Sequence, residues 1–459
     1  MRRERQTERV RVPPPLISRR LPSGRGATEQ PNVTGDGATP LTLRFWTMVV
    51  LTGVATGLFG DLLMFVLFHM QFLAFDYSHG SFQHAVEAVS PGRRVVSLVI
   101  AGVVGGVAWY VLRRYTPNES SDLDDEIWNG EGKLSFRRSI GTSLISETVI
   151  GMGASIGRES APKLMGGVSG SVLGSWAKLT PEQRRLLVAC GGGAGLACVY
   201  NVPVGGAILA AEVLWGSITL PAVLPALACS FIATATAWIY LPNHATYVAI
   251  PSYPFRFTLL VCSLLAGPVI GLLATGWVRL IGFVSHHRPR GRLALAGPLV
   301  AFVTLGIVGI WYPELFGNGK DMAHTAFLGG WGLGMLGALF VLKPIVTSLC
   351  VGSGAQGGLF TPTLSTGALF GGFIGLAWSQ AWPGEPSGAF AIVGAAAMIG
   401  ASMQAPFSGV VLVLELTHTG FAFAVPMLAA TVGATLVTRH LDGYSIYSAR
   451  LGPNDADSA

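Results

Sequence analysis

Charge is what this sequence has least of. Asp, Glu, Lys and Arg make up 12% of its 459 residues, about half the share of an ordinary soluble domain. So few charges cannot solvate a globular surface of that size, and a large soluble enzyme is disfavoured on this ground alone. Cysteine is also scarce. Cys190, Cys198, Cys229, Cys262 and Cys350 all lie inside apolar segments without metal-ligand spacing, which excludes a disulfide framework and a zinc site. The histidines are scattered, apart from His286 and His287 in a basic loop, where a solvated pair is the simpler reading. No nucleophile and base fall together in an apolar segment, so no catalytic constellation, metal or cofactor is expected. The N-terminus has no apolar core of a secretory signal. Its arginines carry no interleaved aromatics, so no nucleic-acid partner is expected.

What is present is apolar and rich in glycine. Hydrophobic residues account for 51% of the chain, there are 61 glycines, and the mean hydropathy is +0.54. Runs such as "VVSLVIAGVVGGVAWYVL", "LPAVLPALACSFIATATAWIYL" and "LALAGPLVAFVTLGIVGIWY" follow one another, most of them reaching the ~20 residues that a membrane-spanning helix needs. The pattern predicts an all-α polytopic membrane protein with many tilted and broken helices. Residues 1–43 differ in kind: eight arginines, three consecutive prolines and no apolar run predict a disordered basic arm. By the positive-inside rule it is cytoplasmic, with the multi-pass protein in the plasma membrane.

Several apolar segments are too short or too interrupted to cross alone, among them "ETVIGMGASIG", "VPVGGAILAAEVLW" and "LFTPTLSTGALFGG". Irregular backbone at membrane depth survives only against protein or a water-filled cavity, so such segments point to a substrate path. They recur. Pro203 and Pro406 superpose, each followed by glycine (Gly206, Gly409) and then glutamate (Glu212, Glu415), and "GRESAP" and "GGLFTP" precede them at similar distances. This implies an internal duplication, with halves at about 44–240 and 256–450 inside one transmembrane domain of 44–450, followed by a short tail, 451–459. Parallel and inverted repeats are not distinguished by this pattern, although broken helices of this kind are typical of inverted ones.

Glycine-rich breaks before helices offer free backbone N–H groups carrying about half a positive charge, which favours anions. Four such starts are readable: after "NESSDLDD", at "GRESAP", at "GGLFTP" and near "LDGYSIYS". Converging on one point, they would bind an anion without a full charge to trap it.

"SIGRESAP", "GSGAQGGLFTP", "YNVPVGGAILAAE", "MQAPFSGVVLVLELT" and "YSIYSA" together resemble the CLC family of chloride channels and chloride/proton antiporters, over roughly residues 44–450. The resemblance implies an anion path within each subunit of a homodimer. Gly157, Arg158 and Glu159 match the family's G-R-E motif, and Glu159 takes the place of its gating glutamate. Ser160 and Ala161 depart from the family's Gly-Pro, with the proline one position later at Pro162. Arg158 is expected to balance or anchor Glu159. Gly357, Gly358, Leu359, Phe360, Thr361 and Pro362 match a second motif, which implies that the Leu359 and Phe360 N–H groups face the ion. Tyr447 corresponds to the family's central tyrosine, with Tyr444 as the competing assignment.

The family's inner serine motif is the poorest match. "PNESSDLDDEIW" stands in its place, with Ser121 in the best register and Ser120 nearly as good. Asp122, Asp124, Asp125 and Glu126 are electrostatically wrong for an anion entrance unless they point away or cap the helix. The family's inner proton glutamate falls on Val213. Valine carries no proton, so the sequence leans towards channel-like conduction of chloride or similar small anions, with a proton-coupled antiporter as the alternative. Glu415 is expected to have a structural or interface role, and Asp61 and Lys343 are the remaining intramembrane charges, with packing or helix-end roles. Thr180, Pro181 and Gln183 form a predicted capping box. The chain ends soon after the last motif, so the regulatory CBS pair of some relatives is not expected.

Overall fold

A computed structural model of the chain describes residues 41–116, 119–384 and 386–451. Nearly all of the basic arm and of the C-terminal tail lies outside these residues. The first half comprises α1 (Leu43–Phe75), α2 (Phe82–Ala88), α3 (Pro91–Tyr115), α4 (Leu123–Trp128), α5 (Phe136–Gly151), α6 (Ser160–Trp176), α7 (Pro181–Tyr200), α8 (Pro203–Leu209) and α9 (Leu220–Ala237). The second comprises α10 (Phe257–His286), α11 (Leu293–Val308), α12 (Lys320–Phe327), α13 (Leu333–Gly352), α14 (Phe360–Ala381), α15 (Ser387–Met403), α16 (Pro406–Thr417) and α17 (Ala424–Leu441). Among the described residues there is no β-strand, and seven helices are long and apolar enough to cross a membrane. Leu264 and Leu265 on α10, Val96 and Val107 on α3 and Leu436 on α17 stand exposed, as a lipid-facing surface requires.

The duplication is written into the packing. α1 lies so close to α9 that a Cβ on Gly57 would stand 2.6 Å from the Ala233 carbonyl oxygen, and in the second half a Cβ on Gly267 of α10 would stand 2.7 Å from that of Ala430 on α17. Gly166 and Gly191 bring α6 against α7, as Gly367 and Gly394 bring α14 against α15. α7 ends at Asn201 and α15 at Gln404, both left-handed, and proline opens the next helix two residues later. Glu212 accepts hydrogen bonds from the backbone N–H groups of Phe407 (3.2 Å) and Ser408 (2.7 Å) at the start of α16. Glu415 in turn accepts from Val204 (3.1 Å) and Gly205 (2.5 Å) at the start of α8. Contacts in which residue i meets j and the mate of j meets the mate of i are those of a two-fold relation.

The elements differ from the sequence expectation in three places. "LFTPTLSTGALFGG" is not interrupted: the break falls before Leu359, and α14 runs unbroken for 22 residues, because Pro362 sits in its first turn, where no intrahelical N–H bond is lost. "LALAGPLVAFVTLGIVGIWY" yields only the 16-residue α11. The start near "LDGYSIYS" is a single 3-10 turn, Ser448–Arg450, and α4 is only six residues long, so helix starts of full length meet at the site from two directions, not four. The capping box forms at α7 as predicted, with Thr180 and Gln183 bonded reciprocally.

Candidate functional site

The glycine breaks ahead of α6 and α14 run antiparallel and meet. Gly157 N–H donates to the Gly358 carbonyl at 2.8 Å, and Gly358 N–H donates back to the Gly157 carbonyl at 2.7 Å. The pair of bonds satisfies backbone groups that would otherwise be stranded at membrane depth, and it aims both helix starts at one buried point. The loop into Gly157 is held from below by Lys343 of α13, whose Nζ donates to Ser155 Oγ at 2.8 Å and to the Gly317 carbonyl at 2.9 Å. Lys343 is fully buried in mid-helix, so its role is to tether this loop and not to end a helix.

Glu159 is the residue immediately before α6, yet its side chain makes no cap bond to its own helix. It crosses instead to α14. Its Oε1 accepts from the Phe360 N–H at 2.8 Å, and its Oε2 accepts from Thr361 Oγ1 at 3.1 Å and from Tyr200 OH at 3.2 Å. Tyr200 OH and Thr361 Oγ1 are themselves 2.6 Å apart. A carboxylate is an anion, and here it sits where a helix start presents its N–H groups to one. The carboxyl group fills the space that the two glycines leave: a Cβ on either Gly157 or Gly358 would overlap it. Of the two N–H groups expected to face the ion, that of Phe360 is the one bonded to the Glu159 carboxyl.

Arg158 takes a different direction. Its guanidinium lies 5.0 Å from the Tyr200 ring centroid and 6.0 Å from that of Phe68, and among the described residues it forms no ion pair with Glu159. The expected lateral anchoring is therefore indirect, through the tyrosine that binds the carboxyl.

The chain is similar to known proteins over most of its length. The profile of the voltage gated chloride channel family matches residues 101–439, more than half of the chain. The chain belongs to the CLC family. A putative chloride channel protein ClcB-like from Ralstonia nicotianae is 31% identical over 80% of this chain and 87% of its own length. The H(+)/Cl(-) exchange transporter ClcA of Vibrio cholerae is 29% identical over 77% and 78%, respectively. The voltage-gated ClC-type chloride channel ClcB of Salmonella typhimurium is 28% identical over 80% and 89%. In fold, the chain is similar to a slow cyanobacterial Cl-/H+ antiporter, with a TM-score of 0.79, 23% identity, and coverage of 91% of this chain and 99% of that one.

In this CLC chain the acids of the segment are engaged in helix capping, local hydrogen bonds and one ion pair. Asp122 caps α4 by accepting from the Asp125 N–H at 3.2 Å, Asp125 accepts from the Asn129 side chain at 2.9 Å, and Glu126 accepts from the Lys133 N–H at 3.2 Å. Asp124 pairs with Lys163 of α6 at 2.9 Å, with both side chains largely buried. The Lys163 Nζ stands 4.1 Å from the centroid of the Tyr447 ring, and the Tyr447 hydroxyl lies 3.8 Å from Met403 Sδ. Lys163, which the sequence leaves without a role, thus joins α4, α6 and the segment after α17. Ser121 precedes the cap of α4 and is half-buried, while Ser120 Oγ accepts from the Asp122 N–H at 3.4 Å. Val213 is buried in the π-helical stretch Ala210–Trp215 that continues α8.

Three buried polar residues at the CLC site escape the sequence reading. Tyr200 and Thr361 bind Glu159, yet the motifs "VYNVP" and "FTP" present them as neighbours of better-known positions. Glu147, in "ETVIG", is a further intramembrane charge beyond Asp61 and Lys343, and its position inside an apolar stretch is the signal that marks it.

Proposed function

We propose that this chain moves chloride or a similar small anion across a membrane through a path inside each subunit, coupled to protons through Glu159. The observation that carries the reading is the docking of the Glu159 carboxyl on the start of α14. An anion that binds the Phe360 N–H must take the carboxyl's place, so the docked carboxylate and a bound anion alternate at one site, with Glu159 protonated and released while the anion is bound. The oxygens around Oε2 make three contacts among Glu159, Thr361 and Tyr200 but own only two hydroxyl protons. A proton on Glu159 supplies the third, so the docked carboxyl can take up a proton before it leaves.

Val213 is the feature that favours the channel-like reading. The exchange reading takes precedence because Glu159 is placed to bind proton and anion in turn, and because the relatives include a transporter named for H(+)/Cl(-) exchange. In the same proposal the protein is a homodimer in the plasma membrane with a cytoplasmic N-terminus. Gly157, Arg158, Gly358, Leu359 and Phe360 line the central site, and Ser121 and Tyr447 lie on the inner approach.

Purified protein in liposomes, followed with chloride and pH electrodes, tests the proposal. Chloride efflux that drives protons uphill in fixed proportion is expected; chloride efflux without proton movement returns the protein to the channel class. Glu159→Gln is expected to keep anion flux, abolish proton movement and remove the pH dependence of flux. An unaltered pH response in that variant refutes the assignment of Glu159.

A further inference from the structure

α5 carries a buried polar seam. Ser139, Ser143 and Glu147 recur at four-residue intervals, which places them on one helix face, and Ser146 lies beside them; all four are at most 2% exposed. The seam begins near the α4 end of the protein, where Ser135 caps α5 and Arg138 bonds the Thr116 carbonyl at 2.8 Å. It ends against the central site. Ser143 Oγ donates to the Ala161 carbonyl in the first turn of α6 at 3.4 Å, and Ser146 Oγ donates to the Gln356 carbonyl just before Gly357 at 2.6 Å. Glu147 is 0% exposed and neither carboxyl oxygen has a hydrogen-bond partner; Ser139 Oγ is likewise unpartnered. The charged groups acting on Glu147 are Arg158 and Glu159.

A carboxyl group buried without a bond is costly, and inside a membrane an ionisable side chain of this kind marks a path. We infer that Glu147 is a proton carrier of this protein, loaded along the Ser139–Ser143 face of α5 and discharging to Glu159. The inference rests on the exchange reading and supplies the group that Val213 cannot. In each cycle one proton leaves the Glu147 carboxyl for the Glu159 carboxylate, breaking one O–H bond and forming another. The Glu147 carboxylate then takes a proton from water at the α4 end of the seam. Arg158 offsets part of the cost of an ionised Glu147 between transfers.

The test uses the full chain in liposomes with both electrodes, on variants that elute as monodisperse protein. E147Q is expected to lower proton movement per chloride by about a hundredfold while chloride efflux stays near the unsubstituted level. The double variant S139A/S143A is expected to slow proton movement with chloride efflux unaffected. Coupling that persists in E147Q overturns the inference and leaves the exchange reading intact, as does a proportional loss of both fluxes, which is the mark of a merely structural acid. Proton movement unaltered in S139A/S143A overturns the route. Absence of proton movement in the unsubstituted protein overturns the exchange reading, and the inference with it.

Discussion

The Thr361 hydroxyl contributes one of three bonds that hold Glu159 on the start of α14. A neutral hydrogen bond of this kind is worth about 1 kcal/mol. Thr361→Val therefore loosens the carboxyl without changing side-chain shape, and chloride efflux at neutral pH is expected to rise about fivefold. Gly358→Ala acts in the opposite sense. Its methyl group occupies the space of the carboxyl, and of the anion that replaces it, and overpacking of about 1–3 kcal/mol lowers flux by one to two orders of magnitude in the same assay. Lys163→Met leaves Asp124 largely buried and unpaired, and is expected to reduce stability by about 3 kcal/mol, read as thermal unfolding in detergent. Replacing Asp124 by Leu in the same protein is expected to recover most of the loss. At this scale Glu159 and Phe360 were legible because local motifs carry them. Tyr200 and the Asp124–Lys163 pair were not, since each contact joins residues about forty apart in the chain that only folding brings together.

Helices α8 and α16 exchange caps. The carboxyl of Glu212 serves the start of α16 and that of Glu415 the start of α8, each replacing orphan N–H partners with an anionic acceptor. Glu212→Gln and Glu415→Gln are each expected to reduce stability by about 1–2 kcal/mol, with similar falls in unfolding temperature. A large effect from one and none from the other would contradict the equivalence of the two caps. Glu415, expected in a structural or interface role, caps α8; Glu212 makes the same bond to α16, which its local motif does not announce. Element length was harder to read than element type. Pro362 looks like a breaker in sequence but sits where a helix tolerates proline, whereas α11 is shortened by a turn that its apolar run does not announce.

The Glu159 carboxyl is buried within one chain and bonded by groups of α7 and α14. If the protein is a homodimer, the two paths are independent. A tandem dimer with Glu159→Gln in one copy is expected to show half the proton movement of the unsubstituted tandem, and complete loss would contradict independence. The membrane class, the helical fold and the family were legible in composition, runs and five ordered motifs. What the sequence could not order was the convergence itself, because the antiparallel Gly157–Gly358 bridge is a contact between halves.

That bridge also constrains ancestry. The residue before α6 is Glu159, and the residue before α14 is Leu359. Two identical halves joined by the same bridge would have pointed two carboxyl groups at one small anion site, where mutual repulsion excludes double ionisation. With an acid before only one of the two helices, the site keeps a carboxyl on one side and a backbone amide on the other.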